Sequence, residues 1–144
     1  MICTMQNAPV DQLHYYDGQV HGSYCGMFDP VHMGVFKAYY VFQAFHILYT
    51  LKHQLPVRLR LPEKEQEQGE IVALAASSSD HAALLLVNPL EQPQSVRVQG
   101  VSGPVRCRII DEERNFSQAP APLDGDELEL SPYSVCLLEW EPEA

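Results

Sequence analysis

Ser77-Ser78-Ser79-Asp80-His81 holds the three residue types of an acyl-transfer triad in five consecutive positions. A serine nucleophile of that kind sits on a glycine-flanked elbow between a strand and a helix. No glycine flanks this run, so it reads as a polar turn. His14, His21 and His32, with Cys25 beside them, hold nitrogen and sulfur donors suited to a transition metal. Their spacings of seven and eleven fit no standard metal-binding pattern, and neither a metal nor another cofactor is expected. The four cysteines, at 3, 25, 107 and 136, form no CxxC pair and imply no disulfide framework. Cys107 and Cys136 lie in apolar, strand-like runs, where a free cysteine behaves as a small buried hydrophobe. Glutamate is absent before Glu63, and the 16 acidic residues from there onward fall mainly in loops or strand ends.

Three zones must position these groups. Residues 1–33 are aromatic, His-containing and loop-like, punctuated by Gly18, Gly22, Gly26 and Pro30. Leu13 to Tyr16 and Tyr24 to Phe28 are short extended candidates. Gly34 to His53 reads as a long helix whose polar residues Gln43, His46, Thr50 and His53 make one narrow stripe. Phe36, Tyr39, Tyr40, Phe42, Phe45, Leu48 and Tyr49 are core or interface material. An ordinary surface helix buries a stripe upwards of about 100° wide; this one is expected to bury nearly twice that, which calls for a second covering surface. Pro56 stops it, and Lys52-His53 suits the negative end of the helix dipole.

From residue 56 the pattern changes to a period of two or to short apolar runs. Val57 to Leu61 alternates as an edge strand should. Glu63 to Glu70 is a charged loop. Ile71–Ala76, Ala82–Asn88, Ser95–Gln99, Val105–Ile110, Glu127–Leu130 and Val135–Trp140 follow as strands, with turn clusters at Asn88-Pro89, Gly103-Pro104, Pro120 to Gly125 and Ser131-Pro132. The fold class is mainly β: an antiparallel sandwich of about seven or eight strands, preceded by one long apolar helix. Trp140 is expected to close the sandwich edge.

At 144 residues and 46% apolar content the chain suits one domain, or one domain with a short remnant. A net charge of −10 disfavours nucleic acid and anionic membrane as partners. No apolar run is long enough to span a bilayer. Met1 to Val10 has neither a basic n-region nor an apolar h-region, so a reducing cytoplasm is the default location.

The chain resembles the C-terminal part of clan-A glycoside hydrolases of the β-xylosidase and α-L-iduronidase type, with arabinofuranosidases related. Cys25-Gly26-Met27-Phe28-Asp29 is similar to the family's last barrel strand, and Lys37-Ala38-Tyr39-Tyr40 to the helix that closes the barrel. Leu86-Val87-Asn88-Pro89, Arg108 to Asn115 and Leu130 to Glu139 are similar to segments of its trailing β-sandwich. The resemblance runs from about residue 13 to 141. It divides the chain into a remnant of the last barrel unit, 1–54, and a C-terminal sandwich, 55–144.

The resemblance also implies a limit. Such enzymes use two glutamates, about 5–5.5 Å apart in the retaining type, within a barrel of about 250 residues. Both are missing here, so no residue is assigned a catalytic role. What remains is Asp17, His21, Tyr24 and Asp29, which the resemblance places at the edge of a sugar pocket. The function expected is that of a non-catalytic accessory region of a glycoside hydrolase, supporting the barrel and the pocket edge. The alternatives are a stand-alone oligomerisation or interaction module using the apolar helix face, as a homodimer or against a missing barrel, and a carbohydrate-binding module. The last would need exposed aromatics in a row, and the sandwich offers only Phe116, Tyr133 and Trp140.

Overall fold

The computed structural model describes residues 2–5, 8–15, 26–60 and 71–142. Its centre is a six-stranded antiparallel sheet, built from β3 (His53–Leu55), β4 (Val72–Ser77), β5 (Ala82–Val87), β7 (Arg106–Ile110), β8 (Ala121–Pro122) and β10 (Val135–Trp140). The strands lie in the order β3-β4-β5-β10-β7-β8. A second sheet pairs β6 (Gln94–Arg97) with β9 (Glu127–Leu130), giving eight strands in the two layers. A short hairpin, β1 (Phe28–Asp29) and β2 (Gly34–Val35), precedes helix α2 (Lys37–Leu51), and one helical turn, α1 (Ile2–Met5), starts the chain.

The period of two sorts each strand of the large sheet onto two cores, because successive side chains point to opposite faces. Leu74, Ala76, Ala83, Leu85, Ile110, Val135 and Leu137 face α2 and pack with its Ala44, Leu48 and Leu51. Ala75, Leu84, Leu86, Cys107, Cys136, Leu138 and Trp140 face the other way and pack with Leu128 and Leu130 of β9. The large sheet is therefore the middle layer, covered by a helix on one side and by β6–β9 on the other. Burial on both faces is why β5 reads AALLLV and β10 reads VCLLEW, with hardly a polar residue between them. Strand β9 is covered on one face only and keeps its alternation, Glu127 and Glu129 out, Leu128 and Leu130 in.

The long C-terminal strand is central, not terminal, in the sheet. β10 pairs with β5 through Leu138 opposite Leu84, and with β7 through Leu138 opposite Cys107. Asn88, fully buried just after β5, fastens this crossing point. Its Nδ2 donates to the carbonyls of Gln92, Leu130 and Ser131, and its Oδ1 accepts from the amide of Leu90. A buried amide must find partners for both its ends, and this one finds them in two separate segments, the turn after β5 and the end of β9.

Two expectations about the helix and the strand after it are corrected. The helix spans 15 residues, not the twenty from Gly34 to His53. Gly34 and Val35 are taken up by pairing with Asp29 and Phe28, and the chain leaves the helix at Lys52, whose left-handed φ of 70° caps it. The αL cap redirects the backbone at once, so His53–Leu55 pairs with Ala75–Ser77 as β3. Val57 to Arg60, expected as an edge strand, is irregular and exposed, because β3 has already taken the edge of β4. Leu61 and the loop Glu63 to Glu70 lie outside the described residues, as does Tyr16 of the first extended candidate; Leu13 to Tyr15 forms no strand.

Candidate functional site

Of the four residues placed at a pocket edge, Asp17, His21 and Tyr24 lie outside the described residues, as does Cys25. Asp29 is described. It closes the β1–β2 hairpin: Oδ1 accepts from the amides of Val31, at 2.8 Å, and His32, at 3.2 Å, while Oδ2 lies 2.7 Å from His32 Nδ1. The hydrogen bond from His32, followed by those from the two amides, holds the carboxyl below the usual carboxylate range. Both oxygens are thus engaged by Asp29's own turn. The tip of that turn carries two exposed apolar side chains, Val31 and Met33.

Helix α2 presents two very different faces. Ala44, Leu48 and Leu51 are buried against the sheet, with Tyr40, Val41, Phe45 and Ile47 beside them. Tyr40 reaches the ring of Phe116, and Phe42 meets Tyr15 edge-on at 4.8 Å. Phe36 is half-buried at the helix N-cap. Gln43, His46 and Thr50 are exposed, as the polar stripe predicts, but Tyr39 and Tyr49 share that exposure, Tyr49 at 73%. The His46 and Tyr49 rings stack on each other, and an open groove of about 540 Å³ runs beside them, floored by Phe45, Leu48, Leu74 and Ala76. Among the described residues the helix is covered by the sheet on one side, with Tyr15 against Phe42 and Phe28 against Tyr39, while Gln43, His46, Tyr49 and Thr50 remain exposed.

A second concavity, about 620 Å³, lies where the helix N-terminus meets the end of β7. Asp111 is its centre. Its Oδ1 accepts from the amides of Glu113 and Arg114, and its Oδ2 accepts from Arg114 Nε at 2.9 Å, Arg114 Nη2 at 2.5 Å and Ser131 Oγ at 3.2 Å. Burial by itself would raise this carboxyl, but the Arg114 guanidinium and the two amides prevail and hold it at about 2. Lys37 Nζ donates to the main-chain carbonyls of Asp111 and Glu112. Tyr133, at the rim, is 64% exposed and sits at a left-handed φ of 51°.

A third polar group joins β10, β7 and the turn that leads into β5. Glu139 on β10 is buried, with Oε1 3.3 Å from His81 Nε2 and Oε2 3.2 Å from Arg108 Nη2. The Arg108 guanidinium lies over the Phe116 ring at 5.3 Å. His81 is therefore committed to Glu139, while Ser78 Oγ bonds Asp80 and the His81 carbonyl within a turn. The triad residue types form the polar turn that their flanking sequence suggested.

Neither this charge pair nor the Lys37 tie was visible to sequence reasoning. The only local signal was the Asp111-x-x-Arg114 spacing, which suits a carboxylate–guanidinium contact. Among the described residues no cluster of His, Cys, Asp or Glu could hold a metal ion. No described helix is long and apolar enough to cross a membrane.

Residues 68–138 match the family model of the D-apionate lactonase C-terminal immunoglobulin-like domain. Among solved structures, the chain is similar to a GH30 endoxylanase from Clostridium papyrosolvens C71, with a TM-score of 0.58 and 13% identity over 80% of this chain and 30% of that one. It is also similar to a glycoside hydrolase family 30 subfamily 8 xylanase from Clostridium acetobutylicum, with a TM-score of 0.53 and 17% identity over 81% of this chain and 31% of that one. The shared feature is the fold, an antiparallel β-sandwich with a helix packed on one face. No curated protein matches the chain significantly. The chain spans about a third of the length of the xylanases it matches. The mainly β, antiparallel architecture expected from the strand pattern is therefore present, and so is the likeness to glycoside hydrolases of clan A.

Proposed function

We propose that this chain is the non-catalytic C-terminal region of a glycoside-hydrolase-like protein, and that helix α2 is the element through which it supports a barrel. The observation that carries this reading is the outer side of α2. A helix of such apolar composition leaves Tyr49 exposed beside an apolar groove and Tyr39 exposed near its start, and Val31 and Met33 stand exposed on the hairpin that leads into it. Large apolar side chains on one element and its neighbour suit contact with further protein. The likeness to part of two xylanases, and the match to the C-terminal domain of a lactonase, support the reading that this further protein is the catalytic portion of a hydrolase.

The same exposed side supports a second reading, in which two copies of the chain meet through α2. A carbohydrate-binding module finds less support. Phe116 and Trp140 are buried, leaving Tyr133 as the one exposed aromatic of the three.

Light scattering over a concentration series tests the helix-face reading. The chain alone is expected to associate as concentration rises, and Tyr49→Asp to return it to a monomer with an unchanged melting temperature. A wild-type chain that stays monomeric throughout would overturn the docking role of that face. In the same preparation, turnover of an aryl β-xyloside would overturn the non-catalytic assignment.

A further inference from the structure

Cys107 on β7 and Cys136 on β10 bring their Sγ atoms to 3.4 Å inside the core between the two sheets. Both thiols are free and buried, Cys136 completely. We propose that they form a reversible redox site, in which a small-molecule disulfide converts the pair to an intramolecular disulfide tying β7 to the central strand. This inference stands independently of the docking role proposed for α2.

Access favours Cys107 as the first thiol to react. It lies opposite Ala121 of β8, an edge strand of two residues whose second, Pro122, has no amide hydrogen to donate. Such a short edge opens at little cost, and opening it uncovers Cys107 before Cys136. The thiols also differ electrostatically in the same sense. The hydrogen bond with Cys136, followed by the Arg114 charge, outweighs burial and lowers Cys107, whereas the hydrogen bond and burial push Cys136 up. Thiolate character sets which sulfur attacks.

The exchange balances without any other reactant. Cys107 loses its proton and attacks one sulfur of the small disulfide; the S–S bond breaks and one small thiolate departs, taking up that proton. Cys136 then loses its proton and attacks Cys107 Sγ, expelling the second small thiolate, which is protonated in turn. Two protein thiols are oxidised by two electrons, and one small disulfide is reduced to two thiols.

The register makes this bond labile. Leu138 stands opposite Cys107, and Ile109 opposite Cys136, so the two cysteines are diagonal rather than direct neighbours. Diagonal positions lie about 7–8 Å apart, beyond the roughly 4.4–6.8 Å that a relaxed disulfide spans. Closing the bond must therefore shift β7 against β10, and a strained disulfide is readily reduced. Leu137, on the opposite face of the same strand, packs in the core that holds α2, so the shift also reaches the helix side.

The test treats the full native chain with excess 2-hydroxyethyl disulfide, followed by non-reducing peptide mapping. The expected result is a Cys107–Cys136 linked peptide that disappears under millimolar thiol, and a lower melting temperature for the oxidised chain. Cys136→Ser should stop the reaction at a mixed disulfide on Cys107, and Cys107→Ser should yield no linked peptide. Absence of the linked peptide from native protein would overturn the proposal, as would a Cys136→Ser chain carrying no adduct at Cys107. An oxidised chain that melts higher than the reduced one would overturn the strain argument and make the pair a structural staple.

Discussion

Lys37 and Asp111 join the two ends of the α2-facing core: the Nζ of Lys37, in the first turn of the helix, donates to the main-chain carbonyl of Asp111, immediately after β7. The neighbouring carbonyl of Glu112 accepts from the same ammonium. Asp111 in turn holds Arg114 and Ser131 through its carboxylate. One lysine thus fastens the helix start to a turn that is itself pinned to the loop before β10. Hydrogen bonds from a charged donor contribute about 1.5–3 kcal/mol each, less where water competes.

Replacing Lys37 by Met keeps the alkyl stem and removes both bonds. We expect a loss of about 1–2 kcal/mol in urea unfolding, with the slope of the transition unchanged. A Lys37→Met chain as stable as the wild type would show that solvent replaces the tie at no cost.

Glu139 and Arg108 predict a different pattern. The carboxylate is buried on the central strand, and neither Arg108 Nε nor Glu139 Oε2 makes a well-directed hydrogen bond, so the pair rests on charge attraction and on His81. Removing Glu139 alone, as Glu139→Leu, strands a partly buried guanidinium and should cost about 2–4 kcal/mol. Replacing both, as Glu139→Leu with Arg108→Met, should recover most of that loss, since a buried pair seldom outperforms well-packed apolar groups. Equal instability of the single and double variants in a thermodynamic cycle would contradict this.

Asp111 gives the chain an acid-sensitive joint. Its folded pKa of about 2 lies below the ordinary aspartate value of about 3.9. A lowered carboxylate contributes stability that is complete above the unfolded pKa and is lost as pH falls through the folded one. The wild type should therefore exceed Asp111→Asn in stability at pH 6, by on the order of 1–2 kcal/mol after allowance for solvent screening. That gap should close between about pH 4 and pH 2. A constant difference across that window in pH-dependent denaturation would mean that the carboxylate's charge plays no part.

The strand pattern was legible wherever burial is one- or two-sided in a regular way. Glu127–Leu130 and Val135–Trp140 occupy the same residues in the structure as in the sequence reading, because apolar alternation and a continuous apolar run each report directly on how many faces are covered. The helix was legible in its middle but not at its ends. Gly34 and Val35 are held by a hairpin partner, and Lys52 turns left-handed. Both depend on what the flanking chain does next. The composition of α2 signalled unusual burial, but not that Tyr39 and Tyr49 would stay outside.

By itself the sequence determined the class, six of the sandwich strands, the absence of a glutamate pair before residue 63 and the polar nature of the Ser77–His81 turn. These follow from residue type and short-range periodicity, which act within a few positions along the chain. Only the tertiary structure placed β10 between β5 and β7, set Cys107 beside Cys136, paired Glu139 with Arg108 and carried Lys37 to the Asp111 turn. Those contacts join residues 25 to 74 positions apart. At such separations no local preference selects a partner; the order in which strands close the sheet does.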